Sequence, residues 1–117
     1  MVLWPANLSP VKEASNDDSL VMRLADGRFH FLLTGDIEQR VEDRLVAEHA
    51  ELASDFLKVP HHGSKTSSTK VFVAAVTPRV AVVSVGESNR SGIRQQQRWN
   101  VTRMRACVCC ARTGMAR

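Results

Sequence analysis

The sequence predicts an α/β (α+β) fold in one small domain. Three observations carry this. A β-hairpin pattern brackets Asp26-Gly27, two amphipathic helix patterns follow it, and short apolar runs lie after the first helix and after the second. Apolar runs alternating with helices place the chain in this class. At 117 residues the chain is long enough for one core and too short for two.

Residues 1–18 read as an irregular lead-in, punctuated by Pro5, Pro10 and the polar run Ser15-Asn16-Asp17-Asp18. Ser19 to Leu24 reads as a strand, Asp26-Gly27 as its turn, and Arg28 to Leu33 as the return strand. On the return strand Phe29, Phe31 and Leu33 share one face, and Arg28, His30 and Leu32 the other. Ile37 to His49 is a helix with Ile37, Val41, Leu45 and Val46 as its apolar stripe. Phe56 to Val59 is a short buried strand ended by Pro60. Ser68 to Val76 is a second helix, with Val71, Phe72, Ala75 and Val76 facing inward, stopped by Thr77-Pro78. Val80 to Val85 is apolar on both faces, as parallel or sandwiched strands are, and Gly86 to Asn89 is a turn.

The net charge of +4 is unevenly placed. Residues 1–90 carry 10 Lys and Arg against 12 Asp and Glu, whereas residues 91–117 carry 6 Arg and no acid. The basic character that would ordinarily suggest nucleic-acid contact thus comes from the last quarter alone. No apolar run approaches the roughly 18 residues of a membrane helix, and Met1-Val2-Leu3-Trp4-Pro5 does not read as a signal peptide.

Chemistry concentrates in two strings. Thr34-Gly35-Asp36 ends the return strand, and Leu57-Lys58-Val59-Pro60-His61-His62-Gly63-Ser64 follows the first helix. This order brings a carboxylate and two imidazoles to the ends of neighbouring strands, where α/β proteins build sites. Asp36, His61 and His62 are residue types that zinc accepts. Adjacent histidines point in different directions, so one of the two is expected to face a given metal. Asp36 could instead cap the helix, with Gln39 completing a capping-box-like pair. Ser64, Thr66, Ser67 and Ser68 precede the second helix; one of them should cap it, and as a group they could contact phosphate. Lys58 and Lys65 could help hold an anion or be surface residues. His30 and His49 read as structural, His49 at a helix C-terminus. Cys107, Cys109 and Cys110 lack the paired C-x₂-C spacing of structural zinc sites.

Asn16-Asp17-Asp18-Ser19-Leu20-Val21, Phe31-Leu32-Leu33-Thr34-Gly35-Asp36, Leu57 to Ser64 and Val82-Val83-Ser84-Val85-Gly86 resemble the metallo-β-lactamase-fold domain at the C-terminus of ComEC-type DNA-uptake (competence) proteins. The resemblance covers residues 2–90. It implies a partial αββα sandwich, its C-terminal half only, from a zinc-dependent two-metal hydrolase acting as a nuclease on DNA. Asp36 matches the bridging acidic ligand, and His61 or His62 the later histidine ligand. Asp36 and His61 would then be catalytic, and Ser64, Lys65 and Asn89 would contact substrate. The implied partners are DNA and the membrane channel portion of the same parent protein, which is anchored in the inner membrane.

Two departures stand against the family pattern. The early histidine-rich metal motif would precede residue 1, and the element expected after Asn89-Arg90 is replaced by Ser91-Gly92-Ile93. The chain is therefore expected to be a fragment, inactive when isolated. Residues 91–117 are expected to be a disordered basic tail and, from their loss of acids and clustered cysteines, an out-of-frame translation of the family's ending. Codons one base out of register can restore a His-Pro element there. Two rival readings are another hydrolase of the same fold, acting on RNA, phosphodiesters or lactams, and a non-enzymatic nucleic-acid binder working through the basic tail.

Overall fold

The computed structural model describes residues 1–6, 13–48, 51–86 and 105–111. Its sheet has six strands in sequential order: β1 (Val2–Trp4), β2 (Val21–Asp26), β3 (Phe29–Leu33), β4 (Phe56–Lys58), β5 (Val80–Gly86) and β6 (Arg105–Ala111). The β1–β2 and β2–β3 pairs are antiparallel, and β3 through β6 run parallel. Helix α1 (Gln39–Glu48) connects β3 to β4, and α2 (Lys70–Val76) connects β4 to β5. Strands β3, β4 and β5 step across the sheet in one direction. Right-handed crossovers then place both helices on the same face, and α1 packs against α2 there.

Strand pairing sorts the side chains into two faces. Arg23, Leu32, Leu57 and Ala81 are mutually aligned, and Leu32, Leu57 and Ala81 are buried under the helices. Ile37, Val41, Leu45, Phe72 and Val76 close that core from the helix side. The opposite face aligns Leu24, Phe31, Phe56 and Val80. Phe31 and Phe56 stack at 4.7 Å, and Phe29 meets Phe56 edge-on at 6.1 Å. Leu24, Phe29 and Leu33 on this face are each at least 36% exposed, so among the described residues the sheet is covered on one side only. The mixed α+β architecture is the predicted one, and a singly covered sheet is compatible with a partial α/β domain.

Several local expectations need correction. The lead-in contains β1, paired to β2. Both helices start later than expected, at Gln39 and Lys70. On α2 Val71 points outward, 61% exposed, while Val73 is buried, a rotation of the apolar stripe set by packing onto α1 and the sheet. The cap of α2 is none of the four hydroxyls expected: Thr69 accepts the Phe72 N–H at 3.3 Å. Residues Arg105–Ala111, inside the segment expected to be disordered, pair along β5 from Val80↔Arg105 to Gly86↔Ala111. An outer strand edge is a row of free N–H and C=O groups that backbone of almost any sequence can satisfy. The rest of 91–117, with Asn89 and His49, lies outside the described residues. Among the described residues no helix is long and apolar enough to cross a membrane.

Candidate functional site

The site lies at the C-terminal ends of β3, β4 and β5. Beyond β3 the chain must turn sharply, and Gly35 does so at φ +55. A Cβ there would lie 2.5 Å from the Ser19 Cβ, so the position has no room for a side chain. The same serine's hydroxyl accepts the Asp36 N–H at 3.0 Å. Asp36 is thus fixed by its backbone, and its carboxylate approaches His62 and Lys58. It does not cap α1, which begins three residues later.

Beyond β4 the chain takes a more strained path. His61 (φ 44), His62 (φ 52) and Gly63 (φ 75) are three successive residues with positive φ. This is a conformation that costs a non-glycine residue about 1–2 kcal/mol. The strand end is tied down on both sides of this turn. The Thr34 hydroxyl donates to the Lys58 carbonyl at 2.6 Å, and the His61 N–H donates to the Gly35 carbonyl at 3.2 Å. The Ser67 hydroxyl donates to the Pro60 carbonyl at 3.0 Å. Strain held by surrounding bonds is typical of functional loops.

The turn splays the two histidines apart, with ring centroids 6.5 Å from each other. His62 Nε2 lies 3.5 Å from Asp36 Oδ1. Its Nδ1–H donates to the Ser84 carbonyl on β5 at 2.6 Å. That bond selects the tautomer with the Nε2 lone pair free, the form in which imidazole binds metals or accepts protons. His61 Nδ1 faces a different acid, Glu38 Oε1, at 3.3 Å. Lys58 donates to the Gly35 carbonyl at 2.9 Å and stands 3.8 Å from Asp36 Oδ1. Its charge therefore offsets Asp36 and is only partly available to an outside anion.

The predicted site residues divide accordingly. Asp36 and His62 are brought together, while His61 turns away to Glu38. Ser64 is nearby in the loop, its hydroxyl 3.1 Å from that of Thr66, and Lys65 is exposed beside it. His30 is remote, facing Asp55 at 3.9 Å. Sequence reasoning missed Glu38 and the Ser84 carbonyl. Glu38 lies two residues after Asp36, a spacing that could have flagged it; a backbone carbonyl leaves no trace in residue type.

The chain is similar to part of a competence protein. Over 82 residues it is 35% identical to ComE operon protein 3 of Bacillus subtilis, a match taking in 70% of this chain and 11% of that protein. It is 41% identical over 86 residues to competence protein ComA of Neisseria gonorrhoeae, covering 70% of this chain and 12% of the relative. It is 39% identical over 88 residues to Recombination protein 2 of Haemophilus influenzae, covering 75% and 11%. The chain spans about a tenth of the length of these curated relatives. No family model matches it.

Asp36 and His62 provide two donors of suitable chemistry, with one tautomer already fixed. A catalytic zinc requires three protein ligands and a structural one four. Among the described residues no group of three or more His, Cys, Asp or Glu side chains converges. The residues present therefore fit part of a metal site and do not complete one.

Proposed function

We propose that this chain is a segment of a DNA-uptake protein of the competence type. In this reading it contributes Asp36 and His62 to a metal-dependent hydrolase site whose remaining ligands lie outside the described residues. The observation that carries it is the Asp36–His62 approach, Nε2 to Oδ1 at 3.5 Å, with Nδ1 anchored on Ser84. Similarity to competence proteins supplies the DNA-uptake context. The metallo-β-lactamase fold, the zinc and the nuclease activity are part of the proposal and rest on the residue pattern. With two donors, no reaction step is assigned to the chain by itself, and the isolated chain is inactive in this reading.

Paramagnetic cobalt titrated into the chain tests it. Selective line broadening centred on Asp36 and His62, lost in Asp36→Ala, is expected. Broadening confined to His30 or spread over the surface overturns it. A parallel assay should find no zinc-dependent DNA cleavage by the purified chain; an Asp36-dependent nuclease signal would refute the incomplete-site reading.

A further inference from the structure

We infer that Glu38 is a positioning residue that fixes the ring of His61, so that each of the two adjacent histidines has its Nδ1 anchored on a different partner. Three observations meet here. His61 Nδ1 has no solvent contact and no hydrogen-bond partner, and a carboxylate oxygen, Glu38 Oε1, lies 3.3 Å from it. A buried ring nitrogen needs a partner, and a carboxylate oxygen is an acceptor, so Glu38 can serve His61 only if Nδ1 carries the proton. The ring's side chain is nonetheless 29% exposed, which places the exposure on its other atoms. Finally, Glu38 is itself held. The Thr66 hydroxyl donates to the same Oε1 at 3.0 Å, and the Glu38 N–H donates to Asp17 Oδ1 at 2.9 Å.

The arrangement explains how two neighbouring histidines in one strained turn avoid competing for one acid. His62 is anchored by the Ser84 carbonyl and approaches Asp36; His61 is anchored by Glu38. Each anchor leaves Nε2 as the free nitrogen. A carboxylate or carbonyl behind the ring is how proteins fix the tautomer of a histidine that must present the opposite nitrogen. The purpose of this positioning rests on the reading of the cleft as a site. The geometry does not.

Long-range ¹⁵N–¹H correlation spectra of the chain, recorded above the ordinary histidine range, read the tautomers directly. The expected result is an Nδ1–H tautomer for both His61 and His62. Glu38→Ala should shift His61 to Nε2–H and leave His62 unmoved, whereas Glu38→Gln, which keeps an acceptor oxygen, should retain the Nδ1–H form. An Nε2–H tautomer for His61 in the unaltered chain, or a His61 signal indifferent to Glu38→Ala, overturns the inference. The first criterion needs no variant and stands if Glu38→Ala fails to fold. Cobalt broadening at Asp36 and His62 is a separate readout, so failure of the metal reading and failure of the Glu38 role are distinguishable.

Discussion

The Glu42 carboxylate of α1 accepts the backbone N–H groups of Ser68 and of Thr69, the latter at 2.8 Å, and so joins one helix to the N-terminus of the next. Glu42 has no solvent exposure. It lies four residues beyond Glu38, so two carboxylates, one just before α1 and one in its first turn, hold the segment between the histidines and α2. Burial raises the Glu42 carboxyl above the ordinary carboxylate range, against the opposing pull of its bonds to Thr69 and Ser68.

The sign of the pH effect follows. A carboxyl whose pKa is higher folded than unfolded binds its proton more tightly in the native state. Its stabilising contribution is full below the unfolded pKa and is lost as pH rises through the folded one. Urea midpoints of the chain should therefore fall relative to Glu42→Gln between the ordinary carboxylate range and the raised value. A flat difference would contradict the assignment. Glu42→Ala leaves the buried Ser68 N–H unpaired, at a cost of about 1–3 kcal/mol, and the half-buried Thr69 N–H at a smaller one.

Gly35 and Gly27 offer a paired test of the turn before Asp36. Both have positive φ, but a Cβ at Gly27 meets nothing within 4 Å while one at Gly35 strikes Ser19. Gly27→Ala should cost about 1–2 kcal/mol of backbone strain. Gly35→Ala adds overpacking and should cost about 2–5 kcal/mol. It should also move the Asp36 amide resonance, since Ser19 is its acceptor. Equal denaturation midpoints for the two variants would show that the close approach has no energetic weight.

Phe72 is fully buried between α2, α1 and the sheet. Phe72→Ala should destabilise by about 3–5 kcal/mol, read as a shift in denaturant midpoint. Val71→Ala, on the exposed side of the same helix, should change stability by less than about 0.5 kcal/mol. A large effect at Val71 would restore the inward stripe that the sequence pattern suggested.

The open sheet face makes a prediction about behaviour in solution. Leu24, Phe29 and Leu33 form an apolar patch beside the Phe31–Phe56 stack, and patches of this kind drive association. Sedimentation should show concentration-dependent self-association of the chain, reduced by Leu24→Lys without loss of stability. Monomeric behaviour at all concentrations would mean the face is covered by residues beyond those described.

The tail carries a prediction at the level of the gene. If residues 91–117 are out of frame, the nucleotide sequence across Val85 to Arg117 spells a His-Pro element in an alternate frame and runs on. If no such frame exists, the tail is genuine and β6 belongs to the native fold.

Much of the fold was legible because local rules sufficed. The Asp26-Gly27 turn set the β2–β3 hairpin, and the Ile37, Val41, Leu45 spacing marked the buried stripe of α1. The conjunction of Asp36 with the histidine pair followed from strand order alone, since parallel neighbours end at the same edge. Periodicity failed at Val71 and Val73, where a seven-residue helix is too short for its pattern to fix its rotation. It failed also at β1 and β6, three and seven residues whose strand character comes from a neighbour's free edge. What only the tertiary structure decided was the division of partners: His62 to Asp36 and Ser84, His61 to Glu38, Glu42 to the α2 cap. The sequence determined which donors and acceptors were available. Their pairing depended on three positive-φ residues in one turn and on a backbone carbonyl from another strand, and neither is encoded in residue spacing.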